Sequence, residues 1–138
     1  MNKTTIGIGL FVVIIIALLA FSGGPRAQLL SGASFVETYQ ETPSAVLLDV
    51  RTPSEFAAGH IDGAMNIDFE NSSFASEIKK LDKAAPYFVY CRSGNRSGQA
   101  ISIMKKEGIG NIYELGGGII SIGGSVQLVP SANDNLSD

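Results

Sequence analysis

The chain has 138 residues, a length that allows one domain, and its 10 basic and 13 acidic residues give a net charge of −3. Beyond residue 26 the balance is 8 basic to 13 acidic residues, which excludes the basic surface that binding of nucleic acid requires. A single cysteine excludes an intramolecular disulfide, and one cysteine with one histidine excludes the usual four-ligand zinc site. We therefore expect a domain stabilised by its apolar core, without a metal or another cofactor.

The N-terminal segment is strongly apolar. No charge occurs between Lys3 and Arg26, and residues 6–21 are almost wholly apolar. About 20 helical residues span a bilayer, but a basic start followed by an apolar centre and small residues is also typical of a secretory signal. The sequence predicts a hydrophobic helix and linker over residues 1–26, acting as a transmembrane anchor or a cleaved signal. Residues 5–22 would lie in the membrane if uncleaved. The domain is then extracytoplasmic, either membrane-anchored or periplasmic or secreted.

After the linker, helical and strand-like segments alternate. Thr52, Pro53 and Glu55 form the pattern of a capping box with proline at the first helical position. Helices are predicted at residues 34–40, 53–59, 73–81 and 95–107, and strands at 45–50, 87–90 and 111–115. Such alternation predicts an α/β fold with a parallel sheet between helices. Ligands of such sheets bind beyond the carboxyl ends of the strands.

Cys91 stands at one of these strand ends and is followed by a short turn rich in glycine, serine and arginine. Backbone N–H groups of such a turn and the start of the next helix favour a bound anion. Two nearby guanidinium groups, Arg92 and Arg96, would lower the pKa of Cys91 and favour the nucleophilic thiolate. They can also bind an anionic substrate through paired hydrogen bonds. The alternative is an inert, buried cysteine beside a solvated turn.

Three separated segments resemble the rhodanese family. They read LLDVRTPSEFAAGHIDGAMNI at residues 47–67, YCRSGNRSGQA at 90–100 and YELGGGI at 113–119. The resemblance implies a five-stranded parallel sheet flanked by helices. The domain is expected at residues 27–129, and the polar composition of residues 130–138 predicts a disordered tail. The resemblance also implies a thiosulfate sulfurtransferase. Such an enzyme takes sulfane sulfur from thiosulfate or a persulfide and passes it to cyanide or a thiol.

The resemblance assigns roles to individual residues. Cys91 would be the nucleophile that carries the persulfide, and Asp49 with Arg51 would brace the active loop. Backbone donors to the terminal sulfur would come from the loop residues Arg92, Ser93, Gly94, Asn95, Arg96 and Ser97, with the two arginines attracting the sulfonate end of the donor. The alternative is a non-catalytic persulfide carrier or a protein-docking module.

The length of the loop separates sulfur chemistry from phosphoryl chemistry. The related loops of dual-specificity phosphatases and arsenate reductases place an arginine six positions after the cysteine. Here that position is Ser97, and the arginine comes one residue earlier, at Arg96. The shorter loop is expected to suit a sulfur atom better than a tetrahedral oxyanion.

Other polar residues are given structural roles. His60 is expected to tie a loop to the sheet, Glu55 to cap a helix, and residues 116–118 to form a tight turn. After Ile119 the chain departs from the family, because it has no tryptophan. Glycines at positions 123 and 124 disfavour the helix that many members have there.

Overall fold

The computed structural model describes residues 26–131. Its strands are β1 (Arg26–Leu30), β2 (Val46–Asp49), β3 (His60–Ile61), β4 (Met65–Asn66), β5 (Tyr87–Tyr90), β6 (Asn111–Leu115) and β7 (Leu128–Val129). Its α-helices are α1 (Gly32–Glu41), α2 (Pro53–Ala58), α3 (Phe74–Lys79) and α4 (Asn95–Lys106), and a 3₁₀ helix covers Ile119–Ile122. The helices and strands predicted between residues 34 and 115 are all present. β5 and β6 have the predicted bounds, whereas β1, β3, β4 and β7 were not predicted.

The central sheet has five strands in the order β1-β6-β5-β2-β4, and every neighbouring pair is parallel. This confirms the five-stranded parallel sheet with flanking helices. Because successive side chains of a strand point to opposite faces, each strand contributes to two cores. Leu48 and Val89 pack with α3 and α4 on one face, while Leu47 and Phe88 pack with α1 and the 3₁₀ helix on the other.

The start of α2 has the predicted capping box. The Thr52 hydroxyl accepts the Glu55 N–H at 3.4 Å, and the Glu55 carboxylate accepts the Thr52 N–H at 3.1 Å. Pro53 occupies the first turn, where its missing N–H costs nothing. The helix ends before Gly59, as expected. The box therefore fixes where α2 begins after the end of β2.

The segment after β6 departs from an α-helical ending. The 3₁₀ helix buries Ile119 and Ile122 in the second core, and β7 then pairs antiparallel with β3 in a separate two-stranded sheet. The Ser131 N–H donates to the carbonyl of Ala57 at 3.2 Å. This side of the domain is therefore closed by a short 3₁₀ turn and a strand.

The predicted N-terminal membrane or signal helix falls outside the described residues, as does most of the predicted tail. Within residues 26–131, no helix has the length and apolar character that crossing a membrane requires. β1 begins at Arg26, the last residue of the predicted linker.

Candidate functional site

Cys91 directly follows β5 at the carboxyl edge of the sheet, with β2 and β6 as neighbours of that strand. Its side chain is buried, with 1% of the residue exposed. The chain then turns through Gly94, whose φ of +103° is a conformation that glycine adopts without strain, and α4 begins at the next residue. This strand, turn and helix start form the arrangement predicted for an anion-binding loop.

The turn directs hydrogen-bond donors at the sulfur. The Gly94 N–H donates to Sγ at 3.0 Å, and the Ser97 hydroxyl oxygen lies 3.4 Å from Sγ. Burial by itself raises the pKa of Cys91. Hydrogen bonds from the Ser97 hydroxyl and from the backbone N–H groups of Ser97, Gly94 and Ser93 outweigh burial, so that the pKa is lowered overall. The site can therefore stabilise a thiolate.

The two arginines of the loop have different surroundings. Arg92 is exposed, together with Ser93 and Asn95. The Arg96 guanidinium instead makes a paired interaction with Glu55, Nη1 to Oε2 at 2.7 Å and Nη2 to Oε1 at 2.8 Å, and Nη1 also lies 3.3 Å from Glu70 Oε2. Arg96 thereby joins the start of α4 to the start of α2. Sequence reasoning gave Glu55 only its capping role and missed this ion pair.

Asp49 and Arg51 form a buried ion pair at the end of β2. Arg51 Nη2 lies 2.6 Å from Asp49 Oδ2, and the same nitrogen donates to the carbonyl of Gly59 at 2.7 Å. The Arg51 guanidinium also lies over the ring of Tyr90, 5.7 Å from its centroid, and Tyr90 precedes the cysteine. The pair thus joins the β2 end to the turn before β3, and it contacts the loop strand through Tyr90.

The glycine turn after β6 packs directly against the active loop. The Ile119 N–H donates to the carbonyl of Cys91 at 2.9 Å, and the Ile120 N–H donates to that of Arg92 at 3.2 Å. A Cβ on Gly118 would collide with the backbone of Arg92 and Ser93. The predicted tight turn is present, with positive φ at Gly117 and Gly118. The sequence did not predict that this turn packs against the backbone of the active loop.

Glu114, near the end of β6, is a second residue that sequence reasoning missed. Its Oε1 accepts the Ser97 hydroxyl at 2.7 Å, so that a chain of polar atoms leads from Cys91 through Ser97 to Glu114. The signal was present in the sequence, because an acid stood inside a predicted buried strand, where glutamate is uncommon.

His60 has the structural role that was expected. It is buried, its Nδ1 lies 2.9 Å from the carbonyl oxygen of Phe56, and its ring stacks on that of Phe56 at 3.7 Å. Its backbone pairs with Val129 of β7. Across residues 26–131, no three His, Cys, Asp or Glu side chains are grouped in a way that could hold a metal ion.

An open hollow lies beside the active loop. Its wall combines charged and apolar side chains, among them Arg51, Arg92, Glu55, Ile120 and Leu128. Ile120 and Leu128 are large apolar residues with exposed fractions of 62% and 42%. The hollow therefore offers both positive charge and apolar surface next to the loop that holds Cys91.

Comparison with known proteins identifies the family. Residues 33–123, more than half of the chain, match the family model of the rhodanese-like domain. The chain belongs to the rhodanese-like domain family. A rhodanese-related protein from Thermoplasma volcanium has a similar crystal structure, with a TM-score of 0.62 and 27% identity over 74% of this chain and 97% of that chain. The resemblance read from residues 47–67, 90–100 and 113–119 is confirmed.

Two relatives of this rhodanese-like chain show how far the similarity extends. A thiosulfate sulfurtransferase, GlpE of Pseudomonas entomophila, is 42% identical over 74 residues, which cover 54% of this chain and 66% of that protein. The uncharacterized protein YqhL of Bacillus subtilis is 40% identical over 83 residues, which cover 60% of this chain and 64% of that protein. The chain thus spans slightly less than two thirds of the length of these relatives.

Proposed function

We propose that this rhodanese-like domain is a sulfurtransferase that carries sulfane sulfur as a persulfide on Cys91. The observation that carries the proposal is the environment of the sulfur, where the Gly94 N–H lies 3.0 Å away and hydrogen bonds lower the pKa of the thiol in spite of burial. A thiolate is the form that attacks sulfur. A relative named thiosulfate sulfurtransferase, 42% identical over the matched residues, supports the same chemistry.

The reaction has two steps. In the first, the Cys91 thiolate attacks the outer sulfur of thiosulfate, a sulfur–sulfur bond forms to Cys91, and sulfite leaves with the electron pair of the broken bond. In the second, cyanide or a thiolate attacks the terminal sulfur of the persulfide. The Cys91–sulfur bond breaks, and the thiolate of Cys91 is regenerated. Backbone N–H groups of Ser93, Gly94 and Ser97 are the donors available to the negative charge of the Cys91 thiolate and of the persulfide.

The hollow beside the loop is the proposed path for the donor. Arg92 is exposed on its wall, whereas the Arg96 fork is occupied by Glu55 and Glu70. We therefore assign attraction of an anionic donor to Arg92. The role of Arg96 is then to hold α2 against the active loop. The sequence alone predicted that both arginines attract the anionic sulfur donor, and the proposal now gives this role to Arg92 alone.

The test measures thiocyanate formed from thiosulfate and cyanide by the full chain, kept soluble with detergent. Wild type is expected to turn over, and Cys91→Ser is expected to be inactive. Equal inactivity of both proteins, with no sulfur added to wild type in intact-mass analysis, would refute sulfur transfer. Addition of one sulfur atom without release of thiocyanate would instead support the alternative, a persulfide carrier. Hydrolysis of an aryl phosphate by the same protein would contradict the interpretation of the loop length.

The boundaries and the location form part of the proposal. We propose that residues 1–26 anchor the domain to a membrane or are removed as a signal, that residues 27–129 form the domain and that residues 130–138 are its tail. The donor and acceptor are then met outside the cytoplasm. N-terminal sequencing of the mature protein distinguishes anchor from signal, and an intact N-terminus in a cytoplasmic fraction would refute both.

A further inference from the structure

The Ser97 hydroxyl can donate its proton to the Glu114 carboxylate or to the carbonyl of Gly94, and it accepts the S–H of Cys91. Its oxygen is 2.7 Å from Glu114 Oε1 and 3.4 Å from Cys91 Sγ, and 3.1 Å from the carbonyl oxygen of Gly94. A serine hydroxyl has one proton to donate. When Cys91 is a thiol, its S–H donates to the Ser97 oxygen, and the Ser97 proton is free for Glu114. When Cys91 is a thiolate, the sulfur needs that same proton.

Glu114 is fixed in this arrangement by the sheet. It stands in β6, with Leu29 of β1 and Val89 of β5 as its register partners, so its strand neighbours are uncharged. From the helix side, Gly98 of α4 lies beside the carboxylate, and a Cβ at that position would be in ordinary van der Waals contact with Oε1, at 3.8 Å. Ser97 itself is fully buried. The hydrogen bond between Ser97 and Glu114 is therefore held by the backbone of two packed elements.

We propose that Glu114 is a positioning residue that competes with the Cys91 thiolate for the hydroxyl proton of Ser97. On ionisation the S–H bond of Cys91 breaks, its electron pair stays on sulfur, and the proton leaves to solvent. The Ser97 hydroxyl then turns from Glu114 to the sulfur. The carboxylate and the thiolate therefore compete for one donor. The other charged groups of the loop are Arg92, which is exposed, and Arg96, which is paired with Glu55 and Glu70.

The competition has a consequence for sulfur transfer, and this consequence rests on the proposed persulfide chemistry. A carboxylate that withholds the proton makes the thiolate more basic. A more basic thiolate is a stronger nucleophile but leaves more slowly when an acceptor attacks the persulfide. Glu114 would thus speed loading of sulfur onto Cys91 and slow its release. The domain would retain its sulfur longer than it would with a neutral residue in that place.

The experiment measures the rate at which iodoacetamide alkylates Cys91 in the full chain as a function of pH. It needs no sulfur transfer, so its outcome is independent of the proposed function. Glu114→Gln keeps the size of the side chain and removes the competing charge. We expect the midpoint of the profile to fall by about one pH unit, as loss of a nearby carboxylate predicts. Because nucleophilicity falls with basicity, the rate is expected to rise about threefold at low pH and to fall about threefold on the plateau. The two profiles therefore cross.

Two further variants make the result specific. Glu41→Gln removes a carboxylate from the exposed end of α1 and is expected to leave the profile unchanged. In a Ser97→Ala background, Glu114→Gln is expected to shift the midpoint by less than half as much, because the shared donor is gone. An unchanged or raised midpoint in Glu114→Gln overturns the proposal. An equal shift with and without Ser97 overturns it as well, because Glu114 would then act through space alone.

Discussion

Replacing Gly118 by alanine tests whether the glycine turn after β6 positions the active loop. Gly118 has φ of 66° and ψ of −169°, a conformation that only glycine adopts readily. Alanine there is strained by about 1–3 kcal/mol. Its Cβ would also collide with the backbone of Arg92 and Ser93, so the loop has to move by about 1 Å to reach ordinary van der Waals contact.

Gly123 provides a matched control. Its φ of 56° and ψ of −174° are nearly the same, but a Cβ there would have no heavy atom within 4 Å. Gly123→Ala therefore carries the backbone strain without the collision. Gly123→Ala is expected to lose about 1–3 kcal/mol in the free energy of unfolding, measured by urea denaturation, and Gly118→Ala is expected to lose more because of the collision. Gly118→Ala alone is expected to displace the residues around Cys91.

The assay is formation of thiocyanate from thiosulfate and cyanide, at a temperature where circular dichroism shows both variants folded. A misplacement of about 1 Å in a catalytic group costs about 100-fold, so we expect Gly118→Ala to lose about that factor in kcat/KM. Gly123→Ala should stay within about threefold of wild type. The alkylation rate of Cys91 gives a second readout that does not depend on turnover. If Gly118→Ala matched Gly123→Ala in both measurements, the turn would not position the loop.

Two further predictions concern the ion pairs and charges around the loop. The hydrogen bond from Arg96 is the main reason that the pKa of Glu55 is lowered to about 2. Glutamine at position 55 keeps the capping box but removes the charge. Glu55→Gln is therefore expected to lower the free energy of unfolding by about 1–2 kcal/mol above pH 4.5. This difference in stability should disappear as pH falls from 4.5 toward 2. A loss that did not depend on pH in urea unfolding would contradict its origin in the ion pair. As a control, Glu77→Gln removes an exposed ion pair with Lys80 and should cost less than about 0.5 kcal/mol. Arg92→Ala is expected to lower kcat/KM for thiosulfate about threefold to tenfold while changing that for a neutral persulfide donor little, because the exposed guanidinium attracts only the anion. Equal losses on both donors would contradict this role of Arg92. A larger selective loss in Arg96→Ala would assign the attraction of the anionic donor to Arg96 instead.

The sequence by itself determined the structural elements that depend on residues close together along the chain. The continuous apolar run of β5 predicted that strand to the residue, because such segments are typical of buried parallel strands, and β6 was predicted with its observed bounds as well. Thr52, Pro53 and Glu55 predicted the start of α2, since a capping box lies within one helical turn. β1 was missed because its five residues carry two polar side chains, and β4 because two residues form no pattern. Both strands form because their backbones pair with neighbouring strands of the sheet, β1 with β6 and β4 with β2.

The tertiary structure decided the contacts that shape the chemistry of the loop. Glu55 and Arg96 are 41 positions apart, Ser97 and Glu114 are 17 apart, and the Ile119 N–H reaches back to Cys91. No periodicity or local motif encodes such pairs, because they form only when strand order brings distant segments to one edge of the sheet. The sequence thus placed the cysteine at a strand end. The fold determined that Ser97 lies between Cys91 and Glu114, that Arg96 is paired with Glu55, and that the glycine turn after β6 packs against the loop.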